Sequence, residues 1–157
     1  MAVIIRRLEE SGETGNFDCG DAPLNNYLDK YAWVNAAQGV RILHNCDVQC
    51  PSGGVPQEYV RGLPNYDLPL ILLARLAVDL RFAGKGIGHA LISEAFRISL
   101  RVSGEVGCRC VITDAYRDRM SWYARYGFIP IEGAAAEGPQ RMFLDIRTIR
   151  KALQSQL

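Results

Sequence analysis

The sequence predicts a mixed α/β fold in one domain, and three observations predict it. Two near-continuous apolar runs, LILLARLAVDL (70–80) and CRCVITDA (108–115), have the character of strands buried on both faces. Stretches with apolar residues at helical spacing lie before, between and after them. Where the first run meets the helical pattern after it, Gly84, Gly86 and Gly88 alternate. Glycines between a strand and a helix bring backbone amides close to an anion.

The elements are taken in chain order. AVIIRRL (2–8) reads as an opening strand. In GDAPLNNYLDKYAW, Asp21 suits a helix cap and Pro23 its first turn, while Leu24, Tyr27, Leu28, Tyr31 and Ala32 repeat at helical spacing. VRILHNCDV (40–48) is a candidate strand, and PSGGVPQEYVRGLPNYD (51–67) reads as a loop, so residues 34–67 offer at most one strand. After the glycines, Leu91, Ala95, Ile98 and Val102 share a helix face, with an end expected near Gly104. DRMSWYARYGF (118–128) reads as a short helix with Asp118 as its cap and Gly127 at its exit. IPIEG and RMFLDI are two final strands, and TIRKALQSQL is a terminal helix. No internal repeat divides the 157 residues, so a single domain spanning 1–157 is expected.

Composition removes several function classes. The chain is 48% hydrophobic and 22% charged with a net charge of +1, so no global field favours nucleic acid or a membrane. Arg75 breaks the longest apolar run, and no membrane span is expected. MAVIIRR has neither a basic start nor a long apolar stretch, so no secretory leader is read there. With an odd count of five cysteines, this points to reduced thiols and a cytoplasmic location. His44, Cys46 and Cys50 do not match zinc spacings; small buried hydrophobes are the better reading of the cysteines, and no metal is expected.

Two familiar phosphate-binding patterns fail on spacing. A dinucleotide fingerprint needs a glycine where His89 stands, and a nucleotide P-loop needs Ser or Thr where Gly86 stands. What remains is a turn beginning at Arg81, then amides from Ala83 to Gly88 at a helix N-terminus, where the helix dipole favours negative charge. The bland alternative is a tight turn that binds nothing.

RLAVDLRFAGKGIGHAL resembles the acetyl-CoA motif of the GCN5-related N-acetyltransferases (GNAT), with Arg81, Gly84 and Gly86 at its signature positions. TDAYRDRMSWYARYGF resembles the later strand and helix of the same family, with Tyr123 followed by Tyr126-Gly127-Phe128. Together the two blocks cover residues 70–146, roughly half the chain. FDCGDAPLNNYL, LLARLAVD, DAYRD and RMFLDI resemble the toxin acetyltransferase subgroup. Its members are commonly paired with ribbon–helix–helix antitoxins and acetylate aminoacyl-tRNA.

The resemblance implies a mixed, mostly antiparallel sheet flanked by helices, with central strands splayed apart near Val78 and Asp114. It implies that the backbone of Leu76, Ala77 and Val78 binds the pantetheine arm of acetyl-CoA, an amide near Val78 facing the thioester oxygen. The diphosphate falls to Ala83, Gly84, Lys85, Gly86, Ile87 and Gly88, with Arg81 and Lys85 adding charge. Tyr123 is implied as the acid for the departing thiolate; read from spacing alone it is a core aromatic. For tRNA the candidate cations are Arg81, Lys85, Arg117, Arg119 and Arg125, with Arg6 and Arg7 elsewhere; a scattered solvated surface is the alternative. Asp79 and Asp114 stand at strand ends, and neither His44 nor His89 has a partner visible in sequence. An acceptor among small-molecule or protein amines, a non-catalytic acyl-CoA-binding module and a homodimer all stay open.

Overall fold

The computed structural model describes residues 4–5, 16–32, 43–46, 59, 61, 68–131 and 138–154. It contains helix α1 (Ala22–Lys30), strands β1 (Leu43–Cys46) and β2 (Leu68–Leu72), a 3-10 turn (Leu80–Phe82) and helix α2 (Ile87–Val106). Strand β3 (Cys110–Ala115), a second 3-10 turn (Arg117–Arg119), α3 (Met120–Ala124), β4 (Ile129–Pro130), β5 (Gln140–Asp145) and α4 (Ile146–Gln154) complete it. Contacts divide the chain into two compact units, Met1–Arg41 with Arg75–Ala95, and Ile42–Ala74 with Phe96–Leu157.

The second unit carries a five-stranded sheet in the order β1-β2-β3-β5-β4. The β2–β3 pair is parallel and every other pair antiparallel, so the sheet is mixed and mostly antiparallel, as expected. Leu70, Cys110, Ile112 and Phe143 form a core on one face, joined by Tyr59, Leu72, Ile129 and Ile131. Val111, Met142 and Leu144 are buried as well, at the alternate positions of β3 and β5. Burial on both faces explains why these strands read as continuous apolar runs, and each large side chain contributes about 1.5–3 kcal/mol.

The first unit is assembled around FDCGDAPLNNYL. Asp21 caps α1, its carboxylate accepting from the Leu24 amide at 2.9 Å, and Pro23 lies in the first turn. Asn25 reaches back so that its Oδ1 accepts from the Cys19 amide (3.0 Å) and thiol (3.1 Å), while its Nδ2 donates to Asp18 (2.8 Å). Asp18 ties this knot to the 3-10 turn, its carbonyl accepting from the Leu80 amide at 2.8 Å.

Five expectations change. The strand expected to run to about Val78 ends at Leu72, because Thr113 Oγ1 donates to the Leu73 carbonyl at 2.9 Å and takes the next ladder acceptor. Helix α2 passes Gly104 and stops at Val106, where Gly107 (φ +73°) donates to the Ser103 carbonyl. Its buried face runs through Ile92, Ser99 and Ser103, whereas Ile98 is 46% exposed. Asp118 does not cap α3; it pairs with Arg119 at 3.2 Å on the surface. Of the opening strand, only Ile4 and Ile5 are described; they are exposed and outside any strand, and the rest of 2–8, like the loop at 51–67 apart from Tyr59 and Arg61, lies outside the described residues.

Candidate functional site

In the first unit, the sequence LRFAGKGIG builds a bend rather than a continuous helix. Asp79 starts it, accepting from the Arg81 amide at 2.9 Å. The amides of Phe82, Ala83 and Lys85 then turn inward, donating to the carbonyls of Asp79, Leu80 and Phe82. Gly84 (φ +73°) and Gly86 (φ +80°) occupy the left-handed region that L side chains avoid, and a Cβ at either position would meet nothing within 4 Å. Helix α2 begins only when Ala90 donates to the Gly86 carbonyl at 3.1 Å. Among the described residues, the amides of Gly84, Gly86, Ile87 and Gly88 therefore have no acceptor. Four such donors at a helix N-terminus are suited to phosphate oxygens.

The expected residues separate into two kinds here. Gly84, Gly86, Ile87 and Gly88 present open amides, whereas those of Ala83 and Lys85 are spent inside the bend. The Arg81 guanidinium is held by Asp79, with Nε donating to Oδ1 at 2.8 Å and Nη2 to Oδ2 at 2.6 Å. That pairing, with the Arg81 and Asp18 amides, holds the Asp79 carboxyl well below the usual carboxylate range despite its burial. Lys85 Nζ lies 5.0 Å from the Phe82 ring centre, in cation–π range. Leu76, Ala77 and Val78 are half-buried, lie outside any strand, and have no backbone hydrogen bond to another described residue.

In the second unit, Tyr123 sits in an aromatic cluster. Its ring packs edge-on against Trp122 (4.9 Å between centres) and Phe128 (5.6 Å), and Tyr126 and Phe96 extend the group. The chain turns sharply behind it through Gly127 (φ +88°), as expected for the exit of α3. Burial pushes the Tyr123 phenol above its ordinary value, partly offset by a hydrogen bond with Thr113. Such a phenol stays protonated through neutral and mildly alkaline pH. Thr113 is the residue that sequence reasoning missed, being both neighbour of the phenol and partner of the Leu73 carbonyl. β3 continues through Thr113, Asp114 and Ala115, past its last pair with β2 and paired with β5. This is the sheet's departure from a regular ladder.

Of the strand-end carboxylates, Asp79 is committed to the bend and Asp114 to Arg141, whose Nε and Nη2 donate to it at 2.8 and 3.0 Å. Arg117, Arg119 and Arg125 are exposed, as is His89; Arg6 and Arg7 lie outside the described residues. A cleft of about 320 Å³ beside α1, lined by Asn16, Phe17, Asn25, Asn26 and Asp29, touches none of the expected donor-binding residues. Among the described residues no group of His, Cys, Asp or Glu could hold a metal ion, and no helix is long and apolar enough to cross a membrane.

Comparison with known proteins places this geometry. The profile of the acetyltransferase (GNAT) domain matches residues 44–130. A tRNA-acetylating toxin of Mycobacterium tuberculosis is 29% identical over 140 residues, covering 78% of this chain and 82% of its own. AtaT complexed with acetyl-methionyl-tRNAfMet has the same fold at a TM-score of 0.70 and 21% identity, over 87% of this chain and 89% of AtaT. AtaTR bound with acetyl-CoA superposes at 0.65 and 22% identity, over 88% and 89%.

Proposed function

We propose, from the premise that this chain belongs to the GNAT acetyltransferase family, that it moves an acetyl group from acetyl-CoA to the amino group of aminoacyl-tRNA. The observation that carries the donor half is the set of four outward amides at Gly84, Gly86, Ile87 and Gly88. They supply the diphosphate site, and Lys85 adds charge there. Arg81 acts mainly through its pairing with Asp79, fixing the bend. The peptide groups of Leu76, Ala77 and Val78, without a backbone partner among the described residues, are the hydrogen-bonding edge for the pantetheine arm. The acceptor half rests on the tRNA-acetylating relative and on the AtaT complex.

Acetyl-CoA brings an activated acetyl thioester. An α-amine, with a pKa of about 7.7–8.0, is neutral often enough near pH 7 to attack without a strong protein base. Tyr123 is the proton donor for the leaving sulfur: burial keeps its phenol protonated, and proton transfer as the C–S bond breaks avoids releasing a free thiolate. The reading places one acetyltransferase domain over residues 1–157 in the cytoplasm, where charged tRNA is available. An antitoxin of the ribbon–helix–helix class is the expected protein partner, in keeping with the structure of AtaT bound to the antitoxin AtaR.

Incubation with radiolabelled acetyl-CoA and a panel of aminoacyl-tRNAs should give label that stays on the amino acid after the ester is hydrolysed. Tyr123→Phe should lower turnover about a hundredfold, in the range of general acid catalysis, with acetyl-CoA affinity kept. Label on small amines or proteins alone would overturn the acceptor assignment.

A further inference from the structure

Arg75 and α1 form a feature that the donor site does not use. The Arg75 guanidinium carbon lies 3.7 Å from the centre of the Tyr27 ring, a stacked cation–π contact. The Tyr31 ring comes one helical turn later, 6.5 Å from Tyr27 between centres and inclined by 30°. Tyr31 is 52% exposed, and Arg75 is exposed as well. Both belong to the unit that carries the glycine bend. In the chain, Arg75 immediately precedes Leu76–Val78.

Here a planar cation and a large aromatic face water beside the segment proposed to hold the pantetheine arm. Guanidinium and tyrosine planes together are the groups on which unpaired nucleobases stack, and such stacking tolerates any base because each has a π-face. The amino acid of an aminoacyl-tRNA is esterified through its carboxyl to the ribose of a terminal adenosine, so only an ester link and one ribose separate an unpaired base from the reacting nitrogen. We infer that Arg75, Tyr27 and Tyr31 form the platform that stacks the terminal adenine of the aminoacyl-tRNA. This rests on the acceptor reading above. The role is one of positioning: it holds the acceptor end and touches no reacting bond.

The test uses the full chain with tRNA carrying 2-aminopurine in place of the terminal adenine. Binding should quench its fluorescence, and Tyr31→Ala should abolish the quenching, while Tyr31→Phe, which keeps the plane, should retain it. In acetylation assays, Tyr31→Ala and Arg75→Lys should each raise KM for aminoacyl-tRNA about tenfold, in the range measured for lost base stacking, with acetyl-CoA affinity unchanged. Arg75→Lys keeps the charge and loses the plane, so normal KM in that variant would show simple phosphate attraction and overturn the platform. Absent quenching in the parent protein would overturn it too, whatever the acceptor proves to be. Acetylation of no aminoacyl-tRNA by the parent, with quenching present, would sink the proposed function and leave the platform standing. Loss of binding to a protein partner alone in Tyr31→Ala would assign the surface to that partner instead.

Discussion

The same three-residue device opens two different structures in this protein. In Asp79-Leu80-Arg81 and in Asp145-Ile146-Arg147 the aspartate ends an apolar run and accepts from the amide two residues on, at 2.9 and 2.7 Å. In both, the arginine folds back onto that carboxylate, with Nη2 at 2.6 and 2.8 Å. After Asp145, Ile146, Ile149 and Leu153 repeat at helical spacing, and α4 runs for nine residues with Ile146 and Ile149 buried. After Asp79, glycines at 84 and 86 let the chain enter left-handed conformations, the turn stops after three residues, and four amides have no acceptor among the described residues. An identical start thus yields a structural helix or a glycine bend, and the next few residues of the chain decide which.

The surroundings differ as well. Asp145 is 2% exposed and also faces Arg109 Nη2 at 3.4 Å. Burial alone would push its carboxyl up; the bonds from Arg147 and the charges of Arg109 and Arg147 outweigh that and hold it below the ordinary value. Asp145→Ala should therefore have the largest effect, about 3 kcal/mol lost in denaturant unfolding because a half-buried Arg109 is left uncompensated. Acetyl-CoA affinity should stay near the parent value; a normal stability would refute the contrast. Next, Gly86→Val forces a branched side chain into the left-handed region; it should raise the Kd for acetyl-CoA about tenfold by calorimetry and cost about 1–2 kcal/mol of stability. Asp79→Ala, which removes both the cap acceptor and the partner of Arg81, should weaken that binding about fivefold, as a lost cap does. An unchanged Kd would show that the bend holds its shape without the pairing.

The smallest effect is the response to mild acid. Both carboxyls are depressed in the folded state, so their stabilisation is fully present above the unfolded value near 3.9 and is lost as pH falls from there through the folded values. Unfolding midpoints should hardly move between pH 7 and about 5 and should fall below about pH 4. Asp145→Ala should flatten that fall, and a steep loss already at pH 6 would point to a different titrating group.

Much of the bend was legible because glycine alternation, a preceding apolar run and a subsequent helical period are local signals. The Asp21 cap and the exit at Gly127 were legible for the same reason. The misreadings arose where a distant residue intervened or where burial on a helix was misjudged: the early end of β2 depends on Thr113, forty residues away, and α2 is buried through Ile92, Ser99 and Ser103 rather than through Ile98. Asp114 read only as a strand-end carboxylate until its cross-strand partner Arg141 was in view. The repeated Asp-x-Arg pattern was visible in the chain and could have identified both caps.

What the sequence determined by itself was the order of most elements, the family and the place of the glycine bend, since these depend on side-chain period and on the freedom of particular backbone positions. Tertiary structure alone decided that Asp114 is held by Arg141, that the β2 ladder stops at Leu72 and that the Tyr123 phenol is buried. Those properties depend on hydrogen-bond partners and water exclusion supplied by residues far away in the chain, and no local pattern encodes them.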